Sequence, residues 1–239
     1  MTLLLSGCNT PGPLHLYSTG VRGETVHDHA LQPDKAADVP AFTQAEETVT
    51  GFAYDPYTDH FFLLLAPGDR IRVVDRPARK IKREMRLRDV GVAVAGDLAA
   101  RPIDGHLFLL VPGEARIVQT NRFGEHIRTH ALATPPPAAL AVDPAGNQLW
   151  ALRADGRTVD ALSMQSWQPT RTLTLAAAVA PSLAYDEVAR ELYAPLVRPE
   201  GDPREVGVFT QDGALVRRIA LPEGATMIDV GPHSFLRVF

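Results

Sequence analysis

The sequence predicts an all-β chain: a single β-propeller, five blades of four antiparallel strands. Three observations carry that prediction. A unit of apolar-aromatic run, Pro/Gly/Asp turn, alternating run, second turn and Leu-ending run occurs four times, from His60, His106, Gln148 and Glu191. The aromatics Phe62, Phe108, Trp150, Tyr193 and Phe235 are spaced 46, 42, 43 and 42 residues apart, which is the period of one four-stranded blade. Helix signals are nearly absent, whereas period-2 alternation with turn residues between the runs recurs throughout.

The elements follow in chain order. Residues 1–13 form a leader and tether. Residues 14–31, LHLYSTGVRGETVHDHAL, align without a gap on residues 115–132, ARIVQTNRFGEHIRTHAL, so they are expected to be the outer two strands of a blade. Whole blades are expected at about 48–88, 96–132, 138–175 and 181–221. Each opens with a short inner run (GFAYDP, DLAARP, ALAVDP, SLAYDE). The C-terminal stretch 225–239, with MIDVGP and then SFLRVF, is expected to supply the inner two strands of the blade begun at 14–31. Pairing the two ends in one blade removes two exposed edges and closes the ring.

The lines ALAVDPAGNQLWALRADGRTVDAL and SLAYDEVARELYAPL resemble the repeat of YVTN/NHL-like β-propeller proteins, in which a DP or DG turn precedes an L-aromatic strand. The resemblance covers nearly the whole chain from Leu14 and implies a fold, not a chemistry. Enzymes of related propellers place metal-binding carboxylates, Asn or His around the central channel. The inner runs here are mostly Ala, Leu, Val, Tyr and Gly, with Asp97, Arg101 and Asp229 as scattered polar exceptions.

The N-terminal Leu5-Ser6-Gly7-Cys8 resembles the lipobox of bacterial lipoproteins. That resemblance implies lipidation of Cys8, a tether from Asn9 to Pro13, and a membrane-anchored protein of the bacterial periplasm. Only seven residues precede Cys8, fewer than the basic and apolar regions of a signal peptide need, so the translation start is expected to lie upstream. The alternative is a free buried Cys in a strand from Leu3 to Cys8.

Composition excludes several classes. A formal charge of -4, from 24 basic and 28 acidic residues, provides no global field for nucleic acid. One cysteine allows no internal disulfide and no CxxC site. GxGxxG, the P-loop, HExxH and GxSxG are absent. No cofactor is expected, and the chain is read as a monomer.

Two groups of side chains are candidates for binding. His27 and His29 share one strand face, and a hairpin register that sets His15 opposite His29 would gather three imidazoles for zinc. A slip of one residue removes His15 from that face, and solvated histidines on an outer strand are the preferred reading. Loops after each second strand carry Asp69, Arg70, Glu114, Arg116, Arg153, Asp155, Arg157, Arg198, Glu200, Asp202, Arg204 and Glu205. They share a face of the disc with the blade-to-blade linkers, the longest being Gln32 to Thr48, and form the expected binding rim. Asp55, Asp143 and Asp186 read as turn formers. The basic run from Arg70 to Arg88, with nine Lys or Arg, reads as protection of an outer edge.

The resulting expectation is a non-enzymatic, lipid-anchored binding or scaffold protein whose rim takes an envelope protein, a peptide or a glycan. The alternative is a hydrolase or lyase acting on carbohydrate through the rim carboxylates Asp69, Glu114, Asp155 and Glu200 or Asp202. That chemistry needs two carboxylates converging in a concave pocket.

Overall fold

A computed structural model describes residues 12–67, 70–88, 90, 96–199 and 201–233. These residues form twenty strands and no helix, arranged as five four-stranded antiparallel sheets. Blade 1 runs from the inside outward through β4 (Thr48–Asp55), β5 (His60–Ala66), β6 (Arg70–Asp75) and β7 (Lys80–Arg86). Blade 2 contains β8 (Leu98–Arg101), β9 (His106–Leu110), β10 (Arg116–Thr120) and β11 (His126–Ala131). Blade 3 contains β12 (Pro137–Asp143), β13 (Gln148–Arg153), β14 (Thr158–Ser163) and β15 (Pro169–Thr174). Blade 4 contains β16 (Ala184–Asp186), β17 (Glu191–Pro195), β18 (Glu205–Thr210) and β19 (Leu215–Ala220). The inner strands β4, β8, β12, β16 and β20 (Met227–Pro232) contact one another in a closed ring.

Blade 5 closes that ring with the order β20, β1 (Leu14–Thr19), β2 (Thr25–Ala30), β3 (Val39–Pro40). The two chain ends do share a blade, as the sequence indicates, but the division is one strand plus three rather than two plus two. The alignment of 14–31 with 115–132 places β1 third from the axis; its hydrogen-bonded partners place it second. Any two alternating hairpins superpose in sequence, so periodicity alone does not fix radial position. The fourth strand is the short β3, inside the segment read as a linker. Phe235 lies outside the described residues.

Cross-strand register explains the aromatic period. On four blades an inner-strand alanine faces the repeated aromatic: Ala53 and Phe62, Ala99 and Phe108, Ala141 and Trp150, Ala184 and Tyr193. The small residue sits where strands converge on the axis, and the large one fills the widening space behind it. In blade 5 the aromatic at this position is Tyr17, facing Asp229.

Five apolar cores result, one at each blade-to-blade interface. Second strands are buried on both faces, as in HFFLLLA of β5, whereas the outermost β7, β11, β15 and β19 are mainly exposed. That gradient is why inner runs read as continuous hydrophobics and outer runs as charged ones. Gly51 marks the tightest approach near the axis, where a Cβ would lie 2.4 Å from the Gly96 carbonyl oxygen.

Polar side chains staple adjacent inner strands. Asp97 accepts from the Leu140 amide at 2.8 Å, and Ser182 from the Ile228 amide at 2.9 Å. Asp229 accepts from the Tyr54 amide at 2.7 Å. Burial raises the Asp97 carboxyl well above the carboxylate range and pushes Asp229 up to about 7.

Candidate functional site

Strand direction assigns every loop to a face. Turns joining first to second strands, with the ends of β20 and β2, lie on one face, termed the channel face. Loops joining second to third strands and blade to blade lie on the other, the rim face.

On the channel face, Asp55, Asp143 and Asp186 make the expected Asx turns, accepting from the amides of Tyr57 (3.0 Å), Gly146 (2.8 Å) and Val188 (2.9 Å). The turns encircle a cavity of about 260 Å³ in the central channel. Phe52, Tyr54, Leu140, Tyr185, Glu187 and Asp229 contribute to its wall. Burial, with Asp143 and Asp186 nearby, holds the Glu187 carboxyl above its ordinary value. Asp229 gives one oxygen to the Tyr54 amide and the other to the Val230 amide (2.8 Å). The turn tips Tyr57, Ile103 and Val188 are exposed apolar side chains around this mouth.

On the rim face the expected residues divide into three groups. Asp69 and Glu200 lie outside the described residues, as does Cys8. A second group is engaged locally. Arg116 donates to Glu114 (Nε to Oε2, 2.6 Å) and Arg153 to Asp160 (2.7 and 2.9 Å). Asp155 caps its own turn, accepting from the amides of Arg157 and Thr158 at 2.8 Å, and the Thr158 hydroxyl bond helps hold its carboxyl below the ordinary value. Arg70 joins a buried network described below.

The third group comes together. A groove of about 870 Å³ between blades 3 and 4 is lined by Arg157, Arg198, Arg204, Arg218, Glu205 and the Ala176–Ala178 connection, among others. Arg204 donates to Glu223 at 2.9 Å and Arg218 to Glu205 at 3.0 Å. Arg157 and Arg198 make no ion pair among the described residues. Val197, half exposed, and Pro199 add apolar surface at its edge. Asp202 is exposed on the same loop. Among the described residues the lining therefore holds four arginines, two of them paired with Glu223 and Glu205 and two, Arg157 and Arg198, left without an ion-pair partner. Sequence reasoning singled out three of these arginines; Arg218 was missed because it projects from a fourth strand, β19, rather than from a loop.

Among the described residues the rim carboxylates do not converge. Glu114, Asp155 and Glu205 belong to three different blades, and each is committed to an arginine or a backbone turn.

The basic run is not simply an edge coat. Arg72 is 1 % exposed, as is Glu47, and the two form a bidentate pair at 2.8 and 3.0 Å. Arg72 also donates to Glu84 (Nε to Oε1, 2.7 Å), and Arg70 donates to Glu47 at 2.8 Å.

The three candidate histidines do not assemble, in line with the preferred reading. The β1–β2 register sets His15 opposite Ala30 and Leu16 opposite His29, the one-residue displacement that changes the face. His27 instead meets Asp38 at 2.9 Å, and His29 is exposed. His15 is fully buried and meets Asp28, Asp34 and His233.

No family model matches the sequence, and no curated protein does. Solved structures do resemble the fold. A chain of a nidogen/laminin complex is similar over 91 % of this protein and 98 % of that chain, with TM-score 0.62 and 11 % identity. A Bacteroides caccae protein of unknown function is similar over 92 % and 99 %, with TM-score 0.58 and 10 % identity. Hydrazine synthase of Kuenenia stuttgartiensis is similar over 73 % of this chain, TM-score 0.50 and 14 % identity, and the matching region spans about half of that chain (49 %). At these identities the likeness is one of architecture alone.

Proposed function

We propose that this propeller is a non-enzymatic binding protein of the bacterial envelope, anchored through a lipid on Cys8, that holds an acidic segment of a partner protein in the groove between blades 3 and 4. The observation carrying this reading is the groove's charge: among the described residues four arginines line one concavity, and two of them, Arg157 and Arg198, make no ion pair. Guanidinium forks pair with carboxylates in two-point geometry, and rim charges steer encounter and fix register. Dispersal of the rim carboxylates among the described residues disfavours the carbohydrate hydrolase. The nidogen/laminin complex supports the reading to the extent that a similar fold occurs in an assembly of proteins.

The anchor and the groove are compatible in space. Gly12 lines the mouth of the central channel, so the chain enters the fold on the channel face. Three residues lie between Cys8 and Gly12, and the four chain steps from one to the other reach at most about 14 Å. A lipid on Cys8 would hold the apolar turn tips Tyr57, Ile103 and Val188 against the bilayer and leave the rim groove facing away.

The test is crosslinking in cells followed by recovery from membranes, comparing the native protein with the double variant R157E/R198E and with C8S. One recurrent envelope protein, lost on charge reversal and reduced by C8S, is the expected result. Recovery of the same proteins from the charge-reversed variant would rule out the groove as the binding site.

A further inference from the structure

Three chain segments bring two imidazoles and two carboxylates together where the ring closes. His15 lies on β1, Asp28 on β2, Asp34 in the following loop, and His233 immediately after β20. His15 is fully buried and His233 is 9 % exposed. The Asp28 side chain is 1 % exposed. The two rings stack with centroids 3.5 Å apart.

Hydrogen-bond partners assign the tautomers. Asp34 Oδ2 lies 3.0 Å from His15 Nε2 and 2.7 Å from His233 Nδ1. A carboxylate only accepts, so both of those nitrogens carry protons directed at Asp34. The remaining nitrogens, His15 Nδ1 and His233 Nε2, face the Asp28 carboxylate at 2.5 and 3.9 Å. In neutral imidazoles both would present lone pairs to an anion. A second proton on His15 satisfies only its own contact and leaves the buried His233 Nε2 without a hydrogen-bond partner. One cation shared by Nδ1, Nε2 and the carboxylate satisfies all three.

We propose that His15 Nδ1, His233 Nε2 and the Asp28 carboxylate bind one divalent transition-metal ion of the zinc class, which clamps the two ends of the chain together. The three donors all lie within 4.8 Å of one another. The 3.9 Å between His233 Nε2 and Asp28 is too long for a hydrogen bond. It lies within about half an ångström of the roughly 3.3–3.6 Å that separates two atoms bound at about 2.0–2.2 Å to one tetrahedral ion. Two imidazoles select zinc, nickel, copper or iron over magnesium or calcium. Asp34 acts as the outer carboxylate that orients both ligating imidazoles, and the Ala37 amide, donating to Asp28 Oδ2 at 3.0 Å, fixes the third ligand. Binding opens the close His15–Asp28 contact to the same separation of roughly 3.3–3.6 Å and turns the stacked rings apart. A water completes the tetrahedron.

Titration of chelator-treated full-length protein with zinc chloride tests the site. The expected result is one saturable equivalent by calorimetry and a rise in Tm of about 5–10 °C at a hundredfold excess of free zinc over Kd. Cobalt(II) should give the visible absorption of a four-coordinate ion. His233→Ala, placed beyond the last strand, and D28N should abolish saturable binding and the Tm rise, while the double variant H27A/H29A should keep both. If D28N fails to fold, His233→Ala alone decides. Absence of saturable binding in the native protein, or its survival in His233→Ala with loss in H27A/H29A, would overturn the proposal.

Discussion

The two faces of the disc are made by the same strands yet carry different chemistry. On the channel face four turns are short and built on one plan, with an Asp or Arg ending the first strand and a residue of positive φ (Asp59, Gly105, Asn147, Arg190) completing the reversal. On three of these turns the aspartate is spent on the turn itself, so only the tip residue varies freely, and Tyr57, Ile103 and Val188 are exposed apolar tips. On the rim face the loops differ in length and content, and one of them, with its neighbouring linker, builds an arginine-lined groove. Tight turns conserve chain geometry and yield a smooth surface; longer loops on a rigid scaffold generate a distinctive one.

The largest effect should come from removing the buried ion pair that supports the rim face of blade 1. Glu47 faces Arg72 at almost zero exposure. Burial raises the Glu47 carboxyl, but Arg72 and the Gln44 amide more than offset this and hold it below its ordinary value. E47A leaves a guanidinium buried with only the half-exposed Glu84 as a charged partner nearby, which should cost about 3–5 kcal/mol in urea unfolding. The double variant E47L/R72M removes both charges and should recover most of that loss. A double variant no more stable than E47A would show that packing, not an orphaned charge, dominates there.

An intermediate effect belongs to the channel. Asp229 titrates near 7 in the fold against 3.8 unfolded. Between those values the native state holds more protons than the unfolded state, so this group makes stability fall as pH rises from about 4 to 7. D229N keeps an oxygen for the Tyr54 amide and carries no charge. It should match the native protein near pH 4 and exceed it by about 2 kcal/mol at pH 8, allowing for partial opening of the site to the channel. His130 supplies a control of opposite sign. Burial, with Arg128 and His126 nearby, lowers it to about 4 from 6.5, so its contribution is present above pH 6.5 and is lost as pH falls toward 4. Thermal unfolding of both proteins from pH 4 to 8 separates the two slopes, and an unchanged slope in D229N would remove Asp229 as the source.

How much of this was readable without coordinates depended on the length scale of each feature. The blade count follows from a period repeated four times, and packing cannot change a period. Radial position could not be read in blade 5, because Val39–Pro40 is too short to register as a strand and Tyr17 answers the aromatic spacing only after β1 is known to be second. The histidine trio failed on a single residue of register. His233 carried no local signal, since its neighbours Asp28 and Asp34 are about two hundred residues away in sequence and meet it only through ring closure. Asp229 was legible: it is the sole polar residue where four other inner strands place alanine. The arginine groove was legible in its loops and illegible in its strand, because an outward residue of β19 looks like ordinary edge protection until Arg157 and the Ala176–Ala178 connection lie beside it.

The smallest effect bears on how the two faces are oriented at the membrane. Cys8 is the only cysteine, so once it is acylated an introduced thiol is the one reactive group in the protein. Val188 (71 % exposed) sits at a channel-face tip, and Arg198 is exposed beside the groove. Both tolerate replacement, since neither side chain is buried or paired among the described residues. If the tether of about 14 Å holds the channel face to the bilayer, a membrane-impermeant maleimide should label R198C several-fold faster than V188C on the purified lipidated protein in liposomes, where no partner fills the groove. Detergent should then bring the two rates together, because both sites are open on the free molecule. Equal rates before detergent would separate the faces from the membrane and leave the tip residues as ordinary exposed apolar side chains. Faster labelling of V188C would invert the orientation, and the rim groove would then have to find its partner at the lipid surface.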